Sequence, residues 1–188
     1  MNATATRKKP ASNSPAMSST AELRANARKK IDEGAVTAGY SADRSHIVKM
    51  LNNALATEIV CMLRYKRHFF MATGVHAEAI TAEFLEHATE EQEHADAIAK
   101  RIVQLGGEPD FSPDTLTKRS HAEYVPGKSL MDMVKEDLIA ERIAIDSYKE
   151  MIVAIGDNDS TTRRLIEWIL SVEEEHADDL ANLLDAGR

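Results

Sequence analysis

One phrase, Glu-x-x-His-Ala-Asp, occurs twice in this chain of 188 residues. The first copy lies in TEEQEHADAI at residues 89–98, and the second lies in SVEEEHADDL at residues 171–180. Both stretches belong to longer segments whose apolar residues recur every three or four positions, which is typical of amphipathic helices. A spacing of three residues puts a Glu and a His on the same face of a helix. The repeat therefore predicts a helical fold built from two matched halves.

The pattern around the two copies predicts four long helices, over about 43–72, 76–105, 129–155 and 159/160–184. Gly74 and Gly156 would form short turns, so the helices pair into two antiparallel hairpins. The link between the hairpins contains several prolines, cannot be one helix, and is long enough to cross the length of a bundle. No segment has the alternation of a strand. The predicted fold class is all-α, a four-helix bundle with a long crossover between helices 2 and 3.

The hairpin turns predict which residues face the repeated motif. A turn near Gly74 brings Glu58 level with Glu91, and a turn near Gly156 brings Glu141 level with Glu173. The separations within the two pairs are 33 and 32 residues, and Glu58 and Glu141 interrupt otherwise apolar runs. Each hairpin thus contributes one Glu from its first helix and a Glu-x-x-His from its second. The six predicted ligands are Glu58, Glu91, His94, Glu141, Glu173 and His176.

Four carboxylates inside a bundle need compensating positive charge, because ionised groups are costly to bury. Two divalent cations supply that charge, carboxylates can bridge them, and iron or manganese accepts mixed oxygen and nitrogen ligands. A pair of irons can each give one electron to O₂ or peroxide. The alternative for a single Glu-x-x-His is an exposed pair on a solvated acidic face, but the agreement of all four helices favours the metal site.

These motifs resemble the ferritin superfamily, and most closely bacterioferritin, over about residues 45–186. The stretches that carry the resemblance are LNNALATEIVCMLRY, FLEHATEEQEHADAIAKRI, DLIAERIAIDSYKEMI and ILSVEEEHADDL. The resemblance implies a ferroxidase centre in which Glu91 and Glu173 bridge two iron ions per subunit, with manganese or zinc as substitutes. Glu58 and His94 would hold one ion, and Glu141 and His176 the other.

The resemblance also implies oxidation of Fe²⁺ with O₂ or H₂O₂ and storage of ferric mineral inside a homo-oligomeric cage. The family's tyrosine near the centre matches Tyr65, seven residues after Glu58. Tyr65 would hydrogen-bond a ligand or supply an electron, and an ordinary core tyrosine is the alternative. Tyr148 mirrors it after Glu141, where the core role is favoured. Helical spacing also places His68, Glu86, His87 and Glu90 near the site. Of these, Glu86 and Glu90 would be iron-entry or nucleation groups, and solvated or subunit-interface side chains are the alternative.

Three departures from bacterioferritin refine these expectations. The haem-binding methionine of the family is replaced by Gln92, so haem is not expected. The chain ends at Arg188 without the family's fifth helix, which favours a cage of twelve subunits over one of 24. Residues 1–30 hold seven basic residues and one acidic residue, and this arm resembles the tails of the DNA-protecting Dps proteins. The predicted domains are a basic, partly disordered extension at 1–40, with a short helix around 21–35, and the di-iron bundle at 41–188.

Composition bounds the remaining alternatives. The net charge is −8, of which the arm contributes +6, so the body of the chain is strongly acidic. Cys61 is the only cysteine, which excludes an internal disulfide and a Cys-x-x-Cys site and favours the cytoplasm. No run approaches the ~20 apolar residues of a membrane span. Two alternatives stay open: a DNA-binding protector that uses the arm, and a cage-free di-iron or di-manganese oxidase or peroxidase.

Overall fold

The structure, a computed structural model, describes residues 17–74 and 77–186. Four of its helices are long and two are short. The six are α1 (Thr20–Asn26), α2 (Arg44–Met71), α3 (Ala77–Gln104), α4 (Leu116–Arg119), α5 (Leu130–Ile155) and α6 (Ser160–Ala186). A 3₁₀ helix, Ile31–Glu33, follows α1, and the described residues contain no strand. The prediction of an all-helical fold is confirmed, and the four long helices begin and end within two residues of their predicted bounds.

Polar caps explain where the long helices begin. The Asp43 side chain accepts a hydrogen bond from the His46 amide at the start of α2, and Ser129 does the same for Asp132 at the start of α5. Such caps satisfy amide groups that have no partner inside the helix. Gly156 ends α5 with φ at 55°, a conformation that glycine adopts without strain. The sharp turn there brings α6 back along α5.

The long helices pack as two antiparallel hairpins, α2 along α3 and α5 along α6, and the hairpins contact each other through α2 with α5 and α3 with α6. One apolar cluster, with Leu51 and Leu55 of α2, Ile98 of α3 and Ile166 of α6, fills the end of the molecule near residues 102 and 155. A second cluster around Tyr65 fills the other end. Each fully buried large apolar side chain contributes about 1.5–3 kcal/mol. The stretch between the two clusters is where the polar site lies.

A buried charged network ties α2 to α5 beside the second cluster. Asp137 of α5 accepts a hydrogen bond from Arg64 Nε at 2.7 Å, and its other oxygen lies 2.7 Å from His68 Nδ1. Arg64 also donates to the Glu123 carbonyl, and His68 Nε2 lies 3.1 Å from the Pro126 carbonyl. His68 therefore belongs to this network, which also fixes the chain that enters α5.

The N-terminal region differs from its prediction. The helix expected to reach residue 35 ends at Asn26, and Lys30 adopts a left-handed conformation with φ at 50° before the 3₁₀ helix. A backbone turned that way cannot continue a right-handed helix. Residues 1–16 of the predicted extension, with Arg7, Lys8 and Lys9, lie outside the described residues, as does His76.

Within the described part of the chain, every helix is too short or too polar to cross a lipid bilayer.

Candidate metal centre

The six residues predicted as ligands all lie in the interior, and each is 2% exposed or less. Each long helix contributes one or two of these residues from its middle. The set consists of Glu58 from α2, Glu91 and His94 from α3, Glu141 from α5, and Glu173 and His176 from α6. The structure brings all six together, as the hairpin register predicts. Four carboxylates in one interior are expensive without positive charge beside them.

The six side chains form two overlapping groups of potential ligands. One group is Glu58, Glu91, His94 and Glu173, and the other is Glu91, Glu141, Glu173 and His176. Within each group, one nitrogen or oxygen atom from every residue lies within 4.8 Å of the others. Glu91 and Glu173 belong to both groups. Two cations could therefore lie side by side with two carboxylates shared between them.

Several atoms of these groups lack ordinary partners. Glu91 Oε1 and Glu141 Oε2 are buried and make no hydrogen bond. Both oxygens of Glu173 also lack a hydrogen bond of good geometry, although His94 Nδ1 lies 3.1 Å from one of them. Buried oxygens without partners are rare in folded proteins. Oxygen and imidazole donors of this kind suit a first-row transition metal, so the residues fit two such ions.

The carboxyl groups have strongly perturbed pKa values when no cation compensates them. Burial raises the pKa of Glu91 and Glu141 well above the ordinary value, and the negative Glu173 raises both further. The same two causes raise the pKa of Glu58. Burial opposes ionisation of Glu173 as well, but the close approach of the His176 and His94 rings prevails and lowers its pKa to about 2. The cluster therefore keeps protons until cations replace them.

Each histidine presents Nδ1 to the carboxylates. His94 Nδ1 lies 3.1 Å from Glu58 Oε2 and 3.1 Å from Glu173 Oε1. Burial disfavours its charged form, but the nearby carboxylates of Glu173 and Glu58 prevail and raise its pKa to about 10. His176 Nε2 donates to Glu90 Oε2 at 2.7 Å, which leaves Nδ1 facing Glu173 Oε2 at 3.4 Å. A cation that binds either Nδ1 takes the place of a proton.

Glu90 thus orients the His176 ring, and its loss should weaken the site. Replacing Glu90 by glutamine removes the charged acceptor behind His176, so we expect metal affinity to fall by about 10–100-fold. The measurement is competition for Zn²⁺ against a chromophoric chelator. Glu86→Gln removes the same charge one turn earlier on α3 from an exposed position, and should leave the affinity unchanged. Equal affinity of the two variants would contradict the orienting role.

Tyr65 lies against the centre, but its hydroxyl contacts a carboxylate of the other hairpin. Its hydroxyl donates a hydrogen bond to Glu141 Oε1, and His87 Nδ1 lies 3.2 Å from the Tyr65 hydroxyl oxygen. Burial raises the pKa of Tyr65 well above its ordinary value and the Glu141 charge adds to the effect, so the phenol keeps its proton. Its redox role stays a prediction. Tyr148 is fully buried in the apolar core and its hydroxyl makes no hydrogen bond.

Two aromatic rings adjoin the centre: that of Trp168, which the sequence did not predict there, and that of His87, which helical spacing predicts near the site. The Trp168 ring meets His94 edge-on at 5.0 Å between centroids, although Trp168 is 43% exposed. The His87 ring stacks on His176 at 3.9 Å. Burial and the neighbouring His176 lower the pKa of His87 to about 3. His87 lies four residues before Glu91, and this spacing puts both side chains on one face of α3, next to the centre. Gln92, in contrast, is exposed and bonds Asp96.

Removing the metal should make stability depend on pH. Because the pKa values of Glu58, Glu91 and Glu141 are raised, the folded metal-free chain binds more protons than the unfolded chain above about pH 4.5, and its stability falls as pH rises. His94 adds to this loss between pH 6.5 and about 10, whereas Glu173, with its pKa of about 2, matters only at lower pH.

We therefore expect the Tm of EDTA-treated protein to fall by several degrees from about pH 6 to about pH 8, while Zn²⁺-loaded protein changes less. The gap between the two should widen with pH in thermal unfolding followed by circular dichroism. A Tm difference that narrows with rising pH would contradict the raised pKa values of the buried carboxyl groups. The Glu91→Ala, Glu173→Ala double variant, which lacks the shared carboxylates, serves as the control with a smaller gap.

Comparisons with known proteins identify a family for this chain. A family model described as a ferritin-like domain matches residues 48–188. A bacterioferritin of Desulfovibrio desulfuricans is 28% identical over 141 residues, which cover 74% of this chain and 75% of the relative. A nutrient stress-induced DNA-binding protein of a Synechococcus species is 28% identical over 143 residues, which cover 74% of this chain and 81% of the relative.

Solved structures give the same family. The bacterioferritin-related protein from Bacteroides fragilis, described as a dodecameric thioferritin, superposes with a TM-score of 0.74 at 31% identity over 78% of this chain and 89% of that one. Dps from Thermosynechococcus elongatus superposes with a TM-score of 0.72 at 20% identity, over 74% and 90%, which shows a shared fold. With a family model spanning most of its length and its long helices in the same arrangement, the chain belongs to the ferritin superfamily.

Proposed function

We propose that this protein is a ferroxidase, which oxidises Fe²⁺ to Fe³⁺ at a di-iron centre inside each subunit with O₂ or H₂O₂. The observation that carries the proposal is the pair of ligand groups that share Glu91 and Glu173. Two sites that share carboxylates keep two Fe²⁺ ions close enough to act on one oxidant molecule. The two ions together supply two electrons, which with two protons reduce O₂ to H₂O₂ or H₂O₂ to water.

The side chains divide the work within the proposed centre. Glu58 and His94 hold one Fe²⁺, and Glu141 and His176 hold the other, with the shared carboxylates between them. Tyr65 donates to Glu141 and so holds that carboxylate in place. The surrounding core excludes bulk water, which strengthens the interaction of each carboxylate with a cation.

We further propose that the chains assemble into a homo-oligomeric cage that stores the ferric product or detoxifies Fe²⁺. Twelve subunits are favoured over 24, and the dodecameric relative from Bacteroides fragilis supports this choice. In this proposal α2, α3, α5 and α6 form the four-helix bundle of a domain at 41–188, and the segment with α4 is the crossover. Residues 1–40 form a separate basic extension. A cytoplasmic location, which rests on the single cysteine, belongs to the same proposal.

The test is a titration of the metal-free protein with Fe²⁺ in air, followed by the ferric absorbance. Fast oxidation that saturates near two irons per chain would support the centre, and slower uptake beyond that point would support storage. Oxidation no faster than in buffer would overturn the ferroxidase proposal. Gel filtration of the same sample tests the cage, because a monomer or dimer would favour a cage-free di-iron or di-manganese oxidase or peroxidase.

A second candidate function is DNA protection by the basic arm. The DNA-binding relative from Synechococcus favours it, as do four exposed basic residues, Arg24, Arg28, Lys29 and Lys30. Many copies of such an arm on one cage would bind phosphates with added avidity. Deleting residues 1–30 should abolish a salt-sensitive gel shift of duplex DNA. A shift that survives the deletion, or that never appears with full-length protein, would exclude the arm.

A further inference from the structure

A third group of potential metal ligands lies beside the dinuclear centre and shares no residue with it. Glu83 and His87 of α3 and Asp179 of α6 each offer one atom, and these three atoms lie within 4.8 Å of one another. His87 is 2% exposed, Glu83 is partly buried, and Asp179 is exposed. The group therefore runs from the interior of the molecule towards solvent.

Hydrogen bonding to Tyr65 fixes which nitrogen of His87 carries its proton. The phenol has one proton, and it donates that proton to Glu141. The Tyr65 oxygen can then only accept from His87 Nδ1, which lies 3.2 Å away. This step holds whether Glu141 is ionised or carries a proton on Oε2, because Oε1 accepts the Tyr65 proton in either case. Only the choice of Fe²⁺ as the ion rests on the proposed function. A neutral His87 with its proton on Nδ1 has a free lone pair on Nε2.

That lone pair faces a carboxylate. His87 Nε2 lies 3.3 Å from Glu83 Oε1, and the pair does not form a hydrogen bond of normal geometry. Asp179 adds a second negative charge beside Glu83. In the part of the chain that the structure describes, no lysine or arginine lies within ion-pair distance of Glu83 or Asp179. An imidazole lone pair and two carboxylates that converge without a positive partner repel one another unless a cation lies between them.

We propose that Glu83, His87 and Asp179 form a third divalent-cation site, which holds one Fe²⁺ per chain at the entrance of the dinuclear centre. One imidazole nitrogen with two carboxylates suits Fe²⁺, Co²⁺ or Zn²⁺, whereas Mg²⁺ and Ca²⁺ prefer oxygen ligands alone. The His87 ring stacks on His176 with 3.9 Å between centroids, so one ligand of the third ion is in direct contact with a ligand of the centre. Exposed Asp179 lets the ion arrive from solvent.

The test counts tightly bound Co²⁺ ions by equilibrium dialysis. We expect about three ions per chain in the wild type, about two in Glu83→Gln with Asp179→Asn, and about one in Glu91→Ala with Glu173→Ala. Glu86→Gln with Asp178→Asn is the matched control, because it removes two exposed charges from the same two helices. This control should retain all three ions.

The combined variant separates this site from the dinuclear centre. Adding Glu83→Gln and Asp179→Asn to the Glu91→Ala, Glu173→Ala background should remove the last tightly bound ion, whether or not the wild type oxidises iron. If the background binds no ion, or keeps its ion after the second pair of changes, the third site is wrong and His87 simply forms an ion pair with Glu83. Gel filtration and circular dichroism check that every variant folds.

Discussion

Replacing Glu91 and Glu173 together by alanine should slow Fe²⁺ oxidation by more than about 100-fold. Each residue belongs to both ligand groups, so the double change leaves only two ligands around each cation. Loss of a partner that merely orients a ligand already costs 10–100-fold in affinity or activity, and loss of shared ligands removes the site itself. The measurement is the initial rate of the ferric absorbance after about two Fe²⁺ per chain are added in air.

The matched control for this experiment is Glu93→Ala with Glu174→Ala. These residues lie on the same two helices and their loss removes the same charge, but both are exposed. We expect this control to oxidise iron like the wild type. Equal rates in the two double variants would mean that bulk negative charge, and not the buried centre, accounts for the activity.

Unfolding would not explain a loss of activity in the Glu91 and Glu173 variant. Both carboxylates are fully buried, and Glu91 Oε1 and both Glu173 oxygens lack a normal hydrogen bond. Burying polar atoms without hydrogen-bond partners costs free energy, so removing them relieves a cost of folding. We therefore expect the metal-free double variant to be at least as stable as the metal-free wild type, which a thermal unfolding scan in EDTA would check.

The helices and the six candidate ligands could be predicted because short-range rules determine them. Apolar periodicity persists over 26–28 residues in each of α2, α3 and α5, and a turn at Gly74 or Gly156 sets which residues of a hairpin lie level. Glu58 and Glu141 were placed by that register alone. Their ligand roles stay predictions, but their positions in the structure agree with the register.

Contacts between the two hairpins could not be predicted in this way, because the register of one hairpin says nothing about how it docks on the other. Tyr65 follows Glu58 on α2, yet its hydroxyl crosses to Glu141 on α5. His68 was expected near the centre and instead pairs with Asp137 across the same boundary. The Trp168 contact with His94 is a third case. Each depends on side-chain length and on packing between helices far apart in sequence.

The Asp137 network leads to the second large effect. Replacing Asp137 by alanine should lower the free energy of unfolding by about 3–5 kcal/mol, because it leaves the fully buried Arg64 guanidinium without its carboxylate. His68 Nδ1 would lose its partner at the same time. The measurement is urea denaturation of the metal-free protein at fixed concentration, so that neither metal binding nor assembly differs between variants. Asp146→Ala, an exposed change on the same helix, should cost less than about 0.5 kcal/mol.

A double change distinguishes an uncompensated charge from lost packing. If the cost of Asp137→Ala comes from the buried charge of Arg64, then Arg64→Leu combined with Asp137→Leu should be more stable than Asp137→Ala, because both charges leave the interior together. A double variant less stable than Asp137→Ala would instead mean that the hydrogen bond from Arg64 to the Glu123 carbonyl contributes more to stability than the buried charge costs. In either case Fe²⁺ oxidation at saturating iron should persist in the folded fraction, since Asp137 and Arg64 belong to neither ligand group of the dinuclear centre.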